Sequence, residues 1–182
     1  MILDSSHSSH TMFYQDLPLC RLNLMRSGHG EPLIMVPATI SRAENWQELV
    51  AFAAQWFEVY FFELPGHGES SKLRQPFTTE LIGAVVEQLV DHLGFARFNL
   101  MGFSFGGILA MQAFLRLHAR IDRLMLIAPC LAGRAIKMSP IRRAAILSLA
   151  ALLKHAPVQK KVYTLLHNPP YNHYSASLLR RI

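Results

Sequence analysis

Hydrophobic and polar positions along this chain alternate between two rhythms, one of period two or unbroken apolar runs and one of period 3.6. Phe13 to Arg26 reads as two short strands around Asp16-Leu17-Pro18, with Leu22 and Leu24 alternating against Arg21 and Asn23. Pro32-Leu33-Ile34-Met35-Val36 is continuously apolar, as expected for a strand buried on both faces. Ser41-Arg42-Ala43-Glu44 has capping-box spacing, and Trp46, Leu49, Val50 and Ala53 supply the stripe of the helix it predicts. Phe57 to Leu64 returns to strand, rich in aromatics, and Pro65-Gly66-His67-Gly68 stops it. Thr78 or Thr79 caps a second helix with Glu80 in its first turn; Ile82, Val85, Val86, Leu89, Val90 and Leu93 are its stripe and Gly94 its stop. A strand at Phe98–Met101, a helix at Ile108–Leu117 and a buried strand at Ile121–Ala128 follow. Strands alternating with helices at this spacing predict βαβ units: an α/β fold whose mostly parallel sheet has helices on both faces.

From Leu131 the strand rhythm stops. Ser139-Pro140 opens an apolar helix through Leu153, Pro157 to His167 makes a second, and Ser175 to Ile182 begins a third. These helices predict a lid, and the domain reading is a disordered lead-in over 1–12, a core over 13–130 and a helical lid over 131–182.

Composition narrows the picture. Half of the 182 residues are hydrophobic, enough for a real core, and no apolar run reaches the roughly 18 residues of a membrane span. The first residues lack a basic flank and apolar stretch, so they are no secretory signal. Cys20 and Cys130 alone imply neither a disulfide framework nor a metal site, and a reducing, cytoplasmic setting fits. The net charge of +6 is skewed: no Asp or Glu follows Asp122, while ten Lys and Arg do. A solvated face is the plain reading of that skew. The sharper reading is a basic lid that meets an anionic carrier or membrane surface. No nucleic-acid signature accompanies it, and no cofactor motif is present.

The chemistry sits at Gly102-Phe103-Ser104-Phe105-Gly106. A serine flanked by glycines two residues away, with a strand before it and a helix after, has the form of a nucleophile elbow. The glycines are expected because the turn leaves no room for side chains. Ligands of such sheets bind beyond the carboxyl ends of the strands, where this serine falls.

Together with two further segments, the elbow makes Phe13 to Pro129 resemble the α/β-hydrolase superfamily, in its lidded esterase, lipase and peptidase-like branch. Leu33 to Thr39 stands where the family has an apolar strand ending in His-Gly, and Trp46 follows at the usual distance. Glu63-Leu64-Pro65-Gly66-His67-Gly68-Glu69-Ser70 is similar to the family's D-x-P-G-x-G-x-S turn. The resemblance implies Ser104 as nucleophile toward a small acyl substrate, with the backbone N–H groups of Phe105 and Thr39 as the oxyanion hole. Pro37-Ala38 departs from His-Gly, and Glu63 replaces an aspartate.

The resemblance also implies an acid and then a histidine after the serine. Asp122, at the start of its strand, is at the wrong end of the sheet. His118, His155, His167 and His173 lie in the elbow helix or lid, and His67 has a structural place in its turn. The expectation is therefore a serine hydrolase that is C-terminally incomplete and inactive as this chain. The alternative is a non-catalytic module of the same fold that senses a ligand or binds a partner.

Overall fold

The computed structural model describes residues 10–39 and 41–129. The helices expected at 139–153, 157–167 and 175–182, Cys130 and the whole lid domain lie outside the described residues.

Six strands form one sheet in the order β1-β2-β4-β3-β5-β6. They are β1 (Thr11–Asp16), β2 (Arg21–Ser27), β3 (Glu31–Val36), β4 (Phe57–Phe62), β5 (Phe98–Phe103) and β6 (Ile121–Ile127). β1 and β2 join as an antiparallel pair and β2 runs antiparallel to β4. β4, β3, β5 and β6 are mutually parallel, with Leu33 level with Val59 and Val36 level with Gly102. Among the described residues three α-helices cover the sheet: α1 (Gln47–Ala53), α2 (Thr79–His92) and α3 (Phe105–Leu117).

Alternation within the central strands sorts their side chains between two cores. Ile34, Val36, Tyr60, Phe62 and Leu100 meet Val85, Val86 and Leu89 of α2 and Leu109 and Ala113 of α3. Leu33, Met35, Val59 and Phe61 meet Val50 and Ala53 of α1 on the other face. Burying a side chain of this size is worth about 1.5–3 kcal/mol, so the two cores together hold the layers.

α2 follows its sequence closely. The Thr78 hydroxyl caps it by accepting from the Leu81 N–H at 3.2 Å. At its other end Gly94, φ 72°, lets the chain reverse, and the Phe95 N–H reaches Val90 O while the Gly94 N–H reaches Asp91 O.

Four expectations need correction. The first strand begins at Thr11 instead of after residue 12, because Thr11 and Met12 pair with Arg26 and Met25. Ser41 caps nothing: a short 3-10 turn, Ala43–Trp46, precedes α1, its N-cap is Arg42 and no side chain caps it. The Ala43 N–H that a cap would have relieved donates instead to Glu63 Oε1, 2.8 Å away. β6 is half-exposed beyond Ile121, since among the described residues it is an edge strand. The elbow's strand and helix are both longer than their apolar rhythm suggested, leaving Ser104 alone between them.

Candidate functional site

Ser104 is the single residue between β5 and α3, with φ 54° and ψ −118°. Those torsions are the first corner of a type II′ turn, a region that glycine favours and L-residues avoid. The backbone is pinned there from both sides. The Ser104 N–H donates to Ile127 O on β6 at 2.9 Å, and the Ser104 carbonyl accepts from the Gly107 N–H at 2.9 Å. The serine is half-buried at the carboxyl end of β5.

The flanking glycines have another reason than the sharpness of the turn. Neither Gly102 nor Gly106 has positive φ; both stand where backbones nearly touch. A Cβ at Gly102 would lie 2.6 Å from Gly106 O and 2.7 Å from Ala110 Cβ. One at Gly106 would overlap the carbonyl oxygens of Val36 and Pro37, and one at Gly107 would sit 2.7 Å from Pro129 Cβ. Their absence lets the first turn of α3 settle against β5, the end of β3 and the exit of β6.

That approach sets the loop after β3 beside the elbow. Pro37 is buried, Ala38 half-buried and Thr39 exposed. Phe105 is the first residue of α3, where main-chain N–H groups have no acceptor within the helix and the helix dipole favours negative charge. Phe103, just before the serine, meets the Trp46 ring edge-on at 5.2 Å, and Trp46 lies 5.4 Å from Phe61.

The other titratable candidates are spent elsewhere. Asp122 stands at the amino end of β6 and accepts from Arg97 Nε at 2.6 Å. His118 ends α3, about 20 Å along the helix from Ser104, with its ring 6.2 Å from Phe114. His67 braces its own turn: its N–H donates to Leu64 O, its carbonyl accepts from Ser70, and Nδ1 lies 3.4 Å from Pro65 O. His155, His167 and His173 fall outside the described residues. No group of His, Cys, Asp and Glu that could hold a metal occurs among the described residues. Nor is any described helix long and apolar enough to cross a membrane. An open cleft of 250 Å³, lined by Pro65, Lys72, Leu73, Gln75 and Phe77, borrows no residue from the elbow.

In the sequence Glu63 stands only as a replacement for the aspartate of the turn motif. Its carboxyl group is 1% exposed and joins three segments beside the site. The one sequence cue is Gly68, whose missing side chain leaves room for that carboxylate.

Comparison with known proteins agrees with this fold. A family model described as alpha/beta hydrolase fold matches residues 31–161. The pimeloyl-[acyl-carrier protein] methyl ester esterase of Nitrosomonas europaea is 27% identical over 119 residues, 64% of this chain and 45% of its own length. A dihydrolipoyllysine-residue acetyltransferase component of an acetoin cleaving system, from Pseudomonas putida, is 34% identical over 107 residues, 59% of this chain and 29% of its own. The chain thus spans less than half the length of these curated relatives. Among solved structures, naproxen esterase from Bacillus subtilis superposes with a TM-score of 0.63 at 19% identity, covering 67% of this chain and 44% of that one. Cfl2 of Burkholderia cenocepacia gives 0.66 at 19% identity, with 87% and 56% covered.

Proposed function

The chain belongs to the α/β-hydrolase-fold family, and from that premise we propose that it carries the nucleophile of a serine hydrolase acting on an ester. The observation behind this reading is the Ser104 backbone, held at φ 54° and ψ −118° at the head of α3. A fold that imposes such torsions on a side-chain-bearing residue presents that side chain for use.

In the proposed mechanism Ser104 Oγ attacks the acyl carbon and gives its proton to a base. The carbonyl electron pair moves onto oxygen, and that oxyanion accepts from the N–H groups of Phe105 and Thr39. Collapse expels the alcohol and leaves an acyl-serine, which water then cleaves. Both oxyanion donors are main-chain groups, so the Phe105 and Thr39 side chains are free to shape the substrate pocket. The name of the methyl ester esterase to which this chain is similar points to an ester. Asp122 and His118 serve neither as acid nor as base, given their positions, and His67 has a structural part in its own turn. Those roles belong to residues outside the described ones, and the 182-residue chain alone turns over esters far more slowly than an intact esterase. A cytoplasmic setting is part of the same proposal.

Hydrolysis of a short-chain p-nitrophenyl ester and labelling by a fluorophosphonate, each with Ser104→Ala as control, test this. Slow turnover that disappears in Ser104→Ala supports the reading. Turnover or labelling that survives the substitution unchanged refutes Ser104 as nucleophile. The positions of Asp122, His67 and His118 also favour a second reading, a module that binds acyl ligands without cleaving them. Saturable binding of an ester with no Ser104-dependent turnover selects that module.

A further inference from the structure

Glu63 follows β4 directly and its carboxyl group is among the few buried polar groups of the described chain. It accepts from three donors on three segments: Asn23 Nδ2 on β2 at 3.1 Å, the Ala43 N–H at 2.8 Å and the Glu69 N–H at 2.6 Å. Its main chain is held as well, the N–H donating to Asn23 O at 3.0 Å and the carbonyl accepting from Ser70 Oγ at 2.7 Å. An acceptor buried this deeply is costly unless its lone pairs are filled. The fold fills them, and makes room by having glycine at position 68, where a Cβ would overlap the carboxyl group.

The donors differ in consequence. Asn23 and Glu69 belong to the sheet and to the turn after β4, whereas Ala43 closes the loop that leaves β3 with Pro37, Ala38 and Thr39. Ala43 is the first residue of the 3-10 turn whose last residue, Trp46, lies against Phe103 beside Ser104. One end of that turn is therefore tied to a buried carboxylate and the other to the elbow.

We propose that Glu63 is a positioning residue, fixing the loop that bears Thr39 at the distance from Ser104 that oxyanion binding needs. The proposal rests on the acyl-transfer reading for the purpose of the loop, but the tie itself does not. A space-filling role alone would be met as well by an apolar side chain. A carboxylate is required because both oxygens must accept at once, Oε1 from Ala43 and Oε2 from Glu69 and Asn23. An amide can serve one side only, since its NH₂ would face another N–H. Aspartate falls short by one methylene, about 1.5 Å.

The test compares wild type, Glu63→Gln, Glu63→Asp and Ala43→Pro. The proline removes the Ala43 N–H and sets a ring carbon against Glu63 Oε1, so it breaks the tie from the loop side; the first-turn position tolerates proline, and Arg42 at ψ 151° already has the backbone a following proline requires. Amide hydrogen exchange is followed by mass spectrometry over 37–43 and over the α2 interior. kcat and KM are measured for a p-nitrophenyl ester above the Ser104→Ala background. Positioning expects exchange over 37–43 to rise about tenfold or more in Glu63→Gln and Ala43→Pro, with α2 unchanged. It expects kcat to fall about tenfold to a hundredfold at constant KM, with Glu63→Asp no better than Glu63→Gln. Exchange that rises equally in α2, or fails to rise in the loop, overturns the proposal, as does a KM change at constant kcat. Should wild type show no Ser104-dependent turnover, acyl transfer fails separately and the exchange data alone decide the tie. If Glu63→Gln does not fold, Ala43→Pro carries the same comparison.

Discussion

At position 104 glycine is expected to give a more stable protein than alanine, and the reason can be worked from two torsions. At φ 54° and ψ −118° a Cβ crowds the neighbouring peptide, at a cost of about 1–3 kcal/mol for an L-residue. Glycine removes that cost but frees the unfolded chain, which returns about 0.4–1 kcal/mol of the gain. The balance is about 1 kcal/mol in favour of glycine. Alanine is the control, because it lacks the hydroxyl as glycine does yet keeps the Cβ. The difference between Ser104→Gly and Ser104→Ala therefore isolates the torsional strain from any bond that the hydroxyl makes. For a chain of this length about 1 kcal/mol corresponds to a Tm shift of roughly 2–4 °C. It also moves a urea midpoint by about 0.4 M, for a slope of roughly 2.5 kcal/mol/M. Melting and urea titration of the two variants, followed by circular dichroism, read the difference directly. If Ser104→Gly is no more stable than Ser104→Ala, no strain is stored at the serine, and the observation behind the proposed function falls with it.

Two further outcomes follow from packing and from titration. Gly106→Ala drives a methyl group into the carbonyl oxygens of Val36 and Pro37, backbone atoms that cannot step aside, so a loss of about 1–3 kcal/mol appears as a lower Tm; an unchanged Tm contradicts the close approach. Burial pushes the Cys20 thiol up to about 11, with the Arg74 charge opposing the shift. Iodoacetamide at about pH 8 should then label Cys20 only after unfolding. The unfolded chain releases the Cys20 proton at lower pH than the native state does, so stability declines as pH rises from about 9 toward 11. Native labelling as fast as in urea contradicts this.

What could be read from the residues alone was whatever local chemistry decides. α2 was legible from its stripe, from the Thr78 hydroxyl and from Gly94, because cap, face and stop all lie within the element. The place of Ser104 between a strand and a helix was legible because the elbow is a contiguous stretch. Long-range choices were hidden. The Ser41–Glu44 spacing pointed to a capping box, but Glu63, twenty residues on, takes the Ala43 N–H. An isolated helix has no such competitor, so the local rule had no means of anticipating it. β6 reads as an interior strand by composition, yet exposure depends on which strand lies beside it, and Leu124 to Ile127 are half-exposed. Glu63 looked like a longer aspartate because spacing says nothing of reach, and reach is what its three hydrogen bonds use.

The clearances around Gly102, Gly106 and Gly107 bear on how the motif is to be understood as a historical record. All three are demanded by helix α3 lying against the sheet, a demand that persists whether or not any ester is ever cleaved. A descendant that had lost its chemistry would keep these glycines for the sake of folding, so their presence is no witness to activity. The serine is a better witness. Drift toward glycine at position 104 would relieve an unfavourable backbone, so the torsions give a chain under no catalytic demand no reason to keep a side chain there. Of the five positions in the motif, the central one carries testimony about use.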